Sequence, residues 1–155
     1  MAGHGDFRFL DPGILSDGEL EVQLSRTHPA DPIRGWVPWY EFSLHLRGVG
    51  FSIGQLSFRV GSGEWLENYG GHIGYGVDPP CRGRRFAERA VRLLLPFIRR
   101  HGFKQIWITC NPDNWPSRRT CERLGAVLVG IVDLPMDNDM YRRGERQKCR
   151  FRLDL

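Results

Sequence analysis

Hydrophobic and polar positions alternate through the first half of the chain and take up a helical period in the second. Leu20, Val22 and Leu24 alternate with polar neighbours and predict a strand. His28 to Pro38 holds three prolines and a glycine and predicts a loop. From Tyr40 to Leu46, Tyr40, Phe42, Leu44 and Leu46 alternate with Glu41, Ser43 and His45, the pattern of a half-buried strand. Arg47-Gly48-Val49-Gly50 turns the chain, and Phe51 to Val60 returns as the hairpin partner. Gly61-Ser62-Gly63 ends that strand. Gly70 to Val77 predicts a glycine-rich strand stopped by Asp78-Pro79-Pro80.

The period then changes. Phe86, Ala90, Leu93, Leu94 and Phe97 recur at helical spacing and predict a helix from Arg84 to His101, with Gly102 as its stop. Pro96 falls inside it and should remove one hydrogen bond and bend the axis. Gln105 to Cys110 reads as a short buried strand. Asn114 to Leu124 reads as a second helix, with Pro116 in its first turn and Gly125 after its end. Val127 to Leu134 is an apolar strand, and Lys148 to Leu155 alternates Cys149, Phe151, Leu153 and Leu155 to close the sheet. Antiparallel strands first, then strand–helix–strand–helix–strand–strand, predict a mixed α/β sheet covered by helices.

Composition narrows the class. With 155 residues, 41% apolar and 26% charged, the chain fits one domain over 1–155 and argues against disorder, collagen and coiled coil. The richest apolar run, Leu93 to Ile98, is too short to span a membrane and is followed by Arg99-Arg100. Met1 to Asp6 lacks the basic start and apolar run of a signal peptide, so a cytoplasmic protein is expected. Cysteines at 81, 110, 121 and 149 form no C-x-x-C pair, and the scattered histidines add no ligand spacing. Free thiols and no metal are expected.

Charge is uneven. Residues 1–80 carry five arginines against ten carboxylates; residues 81–155 carry seventeen cations against eight carboxylates. Only Lys104 and Lys148 are lysines, and arginine forks bind phosphate oxygens well. Either a phosphate-bearing partner or a plain solvated basic surface fits this balance.

The chemistry concentrates between Gly71 and Gly125. Gly74-Tyr75-Gly76-Val77 feeds the turn Asp78-Pro79-Pro80-Cys81, and Arg82-Gly83-Arg84-Arg85-Phe86-Ala87 opens the long helix. Unpaired N–H groups and a positive dipole end suit a pyrophosphate there. The segment is neither a Walker loop nor a dinucleotide fingerprint.

These residues resemble the GNAT superfamily of acyl-CoA-dependent N-acetyltransferases, in element order from Tyr40 to Leu155 and most strongly from Gly71 to Ala126. The family's pyrophosphate loop reads Q/R-x-x-G-x-G/A. Here Arg82 and Ala87 match its ends, and Arg85 stands where the family has its internal glycine. Tyr75-Gly76-Val77-Asp78-Pro79 resembles the cofactor-facing strand and its V-x-P turn. Asn114 to Ala126 resembles the Asn-x-x-Ser/Ala…Gly block, closest to a bacterial subgroup known only as predicted acetyltransferases. The resemblance implies a mostly antiparallel sheet, splayed between the strands at Gly71–Val77 and Gln105–Cys110 and flanked by helices. It implies acetyl-CoA as cosubstrate. Main-chain groups of Tyr75 and Val77 would hold the pantetheine arm, and Arg82, Gly83, Arg84, Arg85, Phe86 and Ala87 the pyrophosphate. Asn114 and Ser117 would touch the arm, although both residues also suit helix capping.

Direct transfer needs a base for the amine and an acid for the leaving thiolate. Many relatives carry tyrosine seven residues after the block's Asn. Here that position is Cys121, a member of the cofactor block that reads equally as a small buried hydrophobe. Tyr141 is the substitute acid considered. His72, just before the cofactor strand, is the first candidate base, with a structural histidine as the alternative. Glu41 and His45, on one strand face, come next. Glu64, Glu67, Asp137 and Asp139 are candidate acceptor-side charges, and Trp36, Trp39 and Tyr40 a candidate pocket wall.

The acceptor is therefore expected to be a primary amine of a small molecule or a protein, without nucleic acid or membrane, and with a homodimer possible through an edge strand. Two other readings stand beside it. One is a GNAT-like module that binds acyl-CoA without turnover; the other is a basic nucleic-acid binder.

Overall fold

The computed structural model describes residues 7–155, so the segment read for a signal peptide, Met1 to Asp6, lies outside the described residues. Strands β1 (Leu15–Ser16), β2 (Leu20–His28), β3 (Trp39–Leu46), β4 (Gly54–Arg59) and β5 (Ile73–Val77) pair antiparallel in chain order. A second antiparallel sheet has β6 (Gln105–Cys110), β7 (Val127–Asp133) and β8 (Gln147–Asp154) in the order β6-β8-β7. Helix α1 (Phe86–Arg100) joins β5 to β6, α2 (Trp115–Arg123) joins β6 to β7, and the short α3 (Asp139–Arg142) joins β7 to β8.

The alternation along β3 sets the register. Tyr40 lies opposite Phe58 and Phe42 opposite Leu56, so apolar side chains from β3 and β4 share one face. Helix α1 packs Phe86, Ala90, Val91, Leu94, Phe97 and Ile98 into the core with them. Phe97 meets Tyr40 edge-on at 4.9 Å and 82°. Truncating Phe97 to Ala should cost about 3–5 kcal/mol. Pro96 points to the exposed side of α1, so its ring stays clear of the core.

The two sheets meet as a wedge. At its closed end the His72 N–H donates to Trp107 O at 2.7 Å. Gly71, at φ +71°, passes so close that a Cβ would lie 3.1 Å from both Trp107 O and Thr109 N. Beyond this point no ladder joins β5 to β6, which is the splay expected between these strands.

Several elements differ from the sequence pattern. The strand expected over Phe51–Val60 begins only at Gly54, because Phe51 and Ser52 lie exposed in the turn. The strand expected from Gly70 begins at Ile73; Leu66–Gly70 instead forms one wide helical turn. Tyr40 walls no pocket, since it is fully buried and its hydroxyl accepts the Leu10 N–H at 2.8 Å. The apolar strand β7 is an edge strand, and Val127, Leu128, Val129 and Ile131 remain exposed. No helix of the described residues is long and apolar enough to cross a membrane.

Candidate active site

The face of the first sheet opposite α1 is polar. Glu41 lies opposite Ser57, and Ser57 opposite Gly74, so the three form one row from β3 to β5. Two strand spacings put Glu41 about 10 Å from Gly74. Glu41 is partly exposed, and its carboxylate is 3.8 Å from His28 Nε2. His28 is itself stacked on Trp39 at 3.7 Å. His45 is turned to Ser43, 2.9 Å away on its own strand, and lies farther along the sheet.

His72 is a clasp and not a base. It is buried; its Nδ1 accepts the Trp107 N–H at 2.9 Å, and its Nε2 lies 3.0 Å from Gly61 O. That pairing fixes the neutral tautomer with the proton on Nε2 and leaves no lone pair free. Burial lowers its pKa further, with Arg59 adding to the effect.

The second helix reaches β5 through Tyr75. The Tyr75 hydroxyl lies 3.0 Å from Ser117 Oγ, 3.3 Å from Ser117 O and 3.6 Å from Cys121 Sγ. Burial and the neighbouring Cys121 hold the phenol far above its usual pKa, so it keeps its proton. Cys121 has no exposed surface, and burial pushes its thiol up to about 12. It is a core residue behind Tyr75 and has no face for a ligand. Asn114 caps α2, its Oδ1 accepting the Ser117 N–H at 3.3 Å. Tyr141 lies in α3; the Arg146 guanidinium covers its ring at 3.9 Å, and it lines none of the clefts around β5.

The basic turn keeps its shape despite the substituted glycine. Arg85 is at φ +61°, ψ +29°, the left-handed conformation that a glycine supplies freely. Among the described residues it is the sole non-glycine with positive φ. No side chain caps the first turn of α1, so its N–H groups stay open. The Phe86 side chain is buried in the core, leaving only its main chain at the turn, and Ala87 follows within the helix. Arg82 Nε donates to Val77 O at 2.8 Å, tying the turn to β5. Gly83, at φ +90°, turns the backbone between them.

Part of the basic charge is answered within the chain. Arg89 meets both Asp17 oxygens at 2.8 and 2.9 Å and Glu19 at 2.8 Å; Arg84 lies 3.5 Å from Glu19. Partial burial opposes ionisation of Asp17, but N–H groups of Leu20 and Glu19 and the Arg89 guanidinium outweigh it and lower its pKa. The acidic first half thus docks on the basic helix.

A cavity of about 560 Å³ opens at the closed end of the wedge. Trp36, Trp39 and Trp65 wall it, with Glu64, Asp139 and Arg59 among its polar groups. Glu67 and Asp137 do not line it. Sequence reasoning missed Arg59 and Trp65. The signal for Arg59 was a cation on the polar register of a strand next to Glu41; Trp65 carried none, since its turn has no recognisable period.

A family model described as an acetyltransferase (GNAT) domain matches residues 7–127. No curated protein sequence matches significantly. Among solved structures, RimL, the ribosomal L7/L12 alpha-N-protein acetyltransferase in complex with coenzyme A, is 14% identical over 92% of this chain and 98% of its own, at TM-score 0.67. The ribosomal-protein-S5-alanine acetyltransferase of Vibrio fischeri is 14% identical over 91% and 96%, at TM-score 0.68. The microcin C7 self-immunity acetyltransferase MccE, in complex with acetyl-CoA and AMP, is 18% identical over 76% and 61%, at TM-score 0.58. These likenesses give the fold, and the family match spans most of the chain: it belongs to the GNAT acetyltransferase family.

Proposed function

We propose that this chain transfers an acetyl group from acetyl-CoA to a primary amine by direct attack. The observation that carries the reading is the wedge: β5 and β6 part after the His72–Trp107 contact, and β5 runs out toward the uncapped first turn of α1. A pantetheine arm would lie along the main chain of Tyr75 and Val77, flanked by Asn114 and Ser117. Main-chain N–H groups from Gly83 to Ala87, with Arg82, Arg84 and Arg85, would hold the pyrophosphate. The acetyl-CoA complex of MccE and the coenzyme A complex of RimL support this choice of cosubstrate.

The chemistry then divides among this chain's residues. The amine nitrogen attacks the acetyl carbonyl; a C–N bond forms and the C–S bond breaks. Glu41 takes the amine proton through a chain of water, since it lies on the same polar face as Gly74. The Tyr75 hydroxyl, beside the position where relatives carry their tyrosine, gives a proton to the departing thiolate. A cytoplasmic setting and a homodimer through the exposed edge of β7 complete the reading; sedimentation measures the latter.

Calorimetric titration with acetyl-CoA tests the proposal, with dephospho-CoA and ATP as comparators. Saturable binding, weakened several-fold by Arg84→Ala, supports it. A folded protein that binds no acetyl-CoA at high micromolar concentration overturns it. Binding without turnover across a broad amine panel favours the non-catalytic module, for which the departures at Arg85 and Cys121 speak.

A further inference from the structure

Arg59 sits on β4 opposite Trp39, on the polar face of the sheet. It is half-buried, and that burial lowers its pKa. Burying a cation is costly unless something answers its charge. Among the described residues no carboxylate lies within ion-pair distance of Arg59. Its guanidinium makes one hydrogen bond to the chain, from Nη1 to Gly71 O at 3.3 Å. That leaves most of a five-donor fork beside the tryptophan-walled cavity that Arg59 lines.

The position is as telling as the charge. Gly74 turns its bare face toward Ser57 and Arg59: a Cβ there would lie 2.8 Å from Ser57 Oγ and 3.9 Å from Arg59 Nη1. Gly74 is on β5, next to Tyr75, so the guanidinium borders both the cavity and the strand that would carry the acetyl group. A guanidinium fork matches a carboxylate in bidentate geometry. Glu64 and Asp139 line the same cavity, with Arg143 beside them, and supply carboxylates that a cationic amine could meet.

We propose that Arg59 binds the carboxylate of the acceptor, and that the acceptor is an amino acid with an aromatic side chain. Its side chain lies against Trp36, Trp39 and Trp65, its carboxylate on Arg59, and its α-amine, one carbon away, beside β5. A protein N-terminus lacks that adjacent carboxylate and fits less well. The inference rests on the acetyltransferase reading above.

The probes are phenylalanine, its amide, phenethylamine and a phenylalanine-led peptide, read by quenching of tryptophan fluorescence and by thiol release with acetyl-CoA. Phenylalanine should bind about tenfold tighter than the others, as one charge-assisted contact provides. It should also have the highest kcat/KM, even though the less basic amide offers more neutral amine. Arg59→Gln should level the series through KM, and Arg59→Lys should restore part of the preference. Acetyl-CoA affinity, measured by calorimetry, should not change in Arg59→Gln, which shows that the fold is intact. Equal binding of the acid and the amide, or no binding of any probe, overturns the proposal while retained acetyl-CoA binding leaves the enzyme reading standing. Failure of the unaltered protein to bind acetyl-CoA overturns that reading independently.

Discussion

His72 and the Trp107 main chain hold each other twice: the Trp107 N–H donates to the ring Nδ1 at 2.9 Å, and the His72 main-chain N–H donates to Trp107 O at 2.7 Å. This pair closes the wedge that the two sheets otherwise leave open. Removing the ring strands the Trp107 N–H and Gly61 O, so His72→Ala should cost about 1–3 kcal/mol.

The same pair predicts a pH dependence of stability. Burial lowers the pKa of His72, and burial together with Arg100 lowers that of His101. The unfolded chain therefore binds these protons first, near its ordinary value of 6.5. The stabilisation is complete above that pH and is lost as pH falls below it, toward the lowered folded values. Melting temperature should drop between neutral and mildly acid pH, and His72→Ala should flatten part of the drop. Calorimetric scans across that range measure it; an unchanged slope in the variant would sink the clasp.

Arg85 predicts a gain of stability by simplification. A left-handed residue with a Cβ costs about 1–2 kcal/mol, part of which glycine returns through its freedom in the unfolded chain. Arg85→Gly should therefore gain up to about 1 kcal/mol, or about 2–4 °C in Tm. Acetyl-CoA affinity separates the two parts of this residue. A several-fold loss in Arg85→Gly assigns the side chain to phosphate, whereas unchanged affinity leaves only the backbone shape in use.

The run from β5 through α2 was legible because each part has its own local signal. Strand alternation, the helical spacing of Phe86 to Phe97, the caps Asn114 and Gly125, and the basic turn all lie within a few residues of what they specify. The closed end of the wedge was illegible because its partners are distant. The turn Leu66–Gly70 is held by Thr109 Oγ1 on Tyr69 O at 2.7 Å and by Arg150 Nε on Glu67 O at 3.1 Å. His72 looked like a base for the same reason, since its partner lies 35 residues away. The exposure of β7 shows the limit of apolar content: it marks a strand but not which strands flank it.

Glu41 stands at the row Glu41–Ser57–Gly74 and predicts a kinetic effect without a binding effect. Glu41→Gln should lower kcat about a hundredfold, the lower range for loss of a general base, with acetyl-CoA affinity intact. A kcat within a few-fold of the unaltered enzyme would remove Glu41 from the mechanism.

Tyr75 and Tyr141 give opposite predictions for the acid. The Tyr75 hydroxyl faces Ser117 and Cys121 and carries its proton through the neutral range, although burial raises its pKa and makes it a weaker acid. Tyr75→Phe should lower kcat at least tenfold while acetyl-CoA still binds, since a phenol that donates to the leaving thiolate acts in the transition state. It should also lose about 1 kcal/mol of stability with the Ser117 hydrogen bond. Tyr141→Phe should leave kcat within about twofold, because its ring lies under Arg146 and away from the cavity. A less basic leaving group separates catalysis from packing: with a thioester whose thiol needs no proton to depart, Tyr75→Phe should recover most of its rate. If the loss persists there, Tyr75 positions α2 and the thiolate takes its proton from solvent.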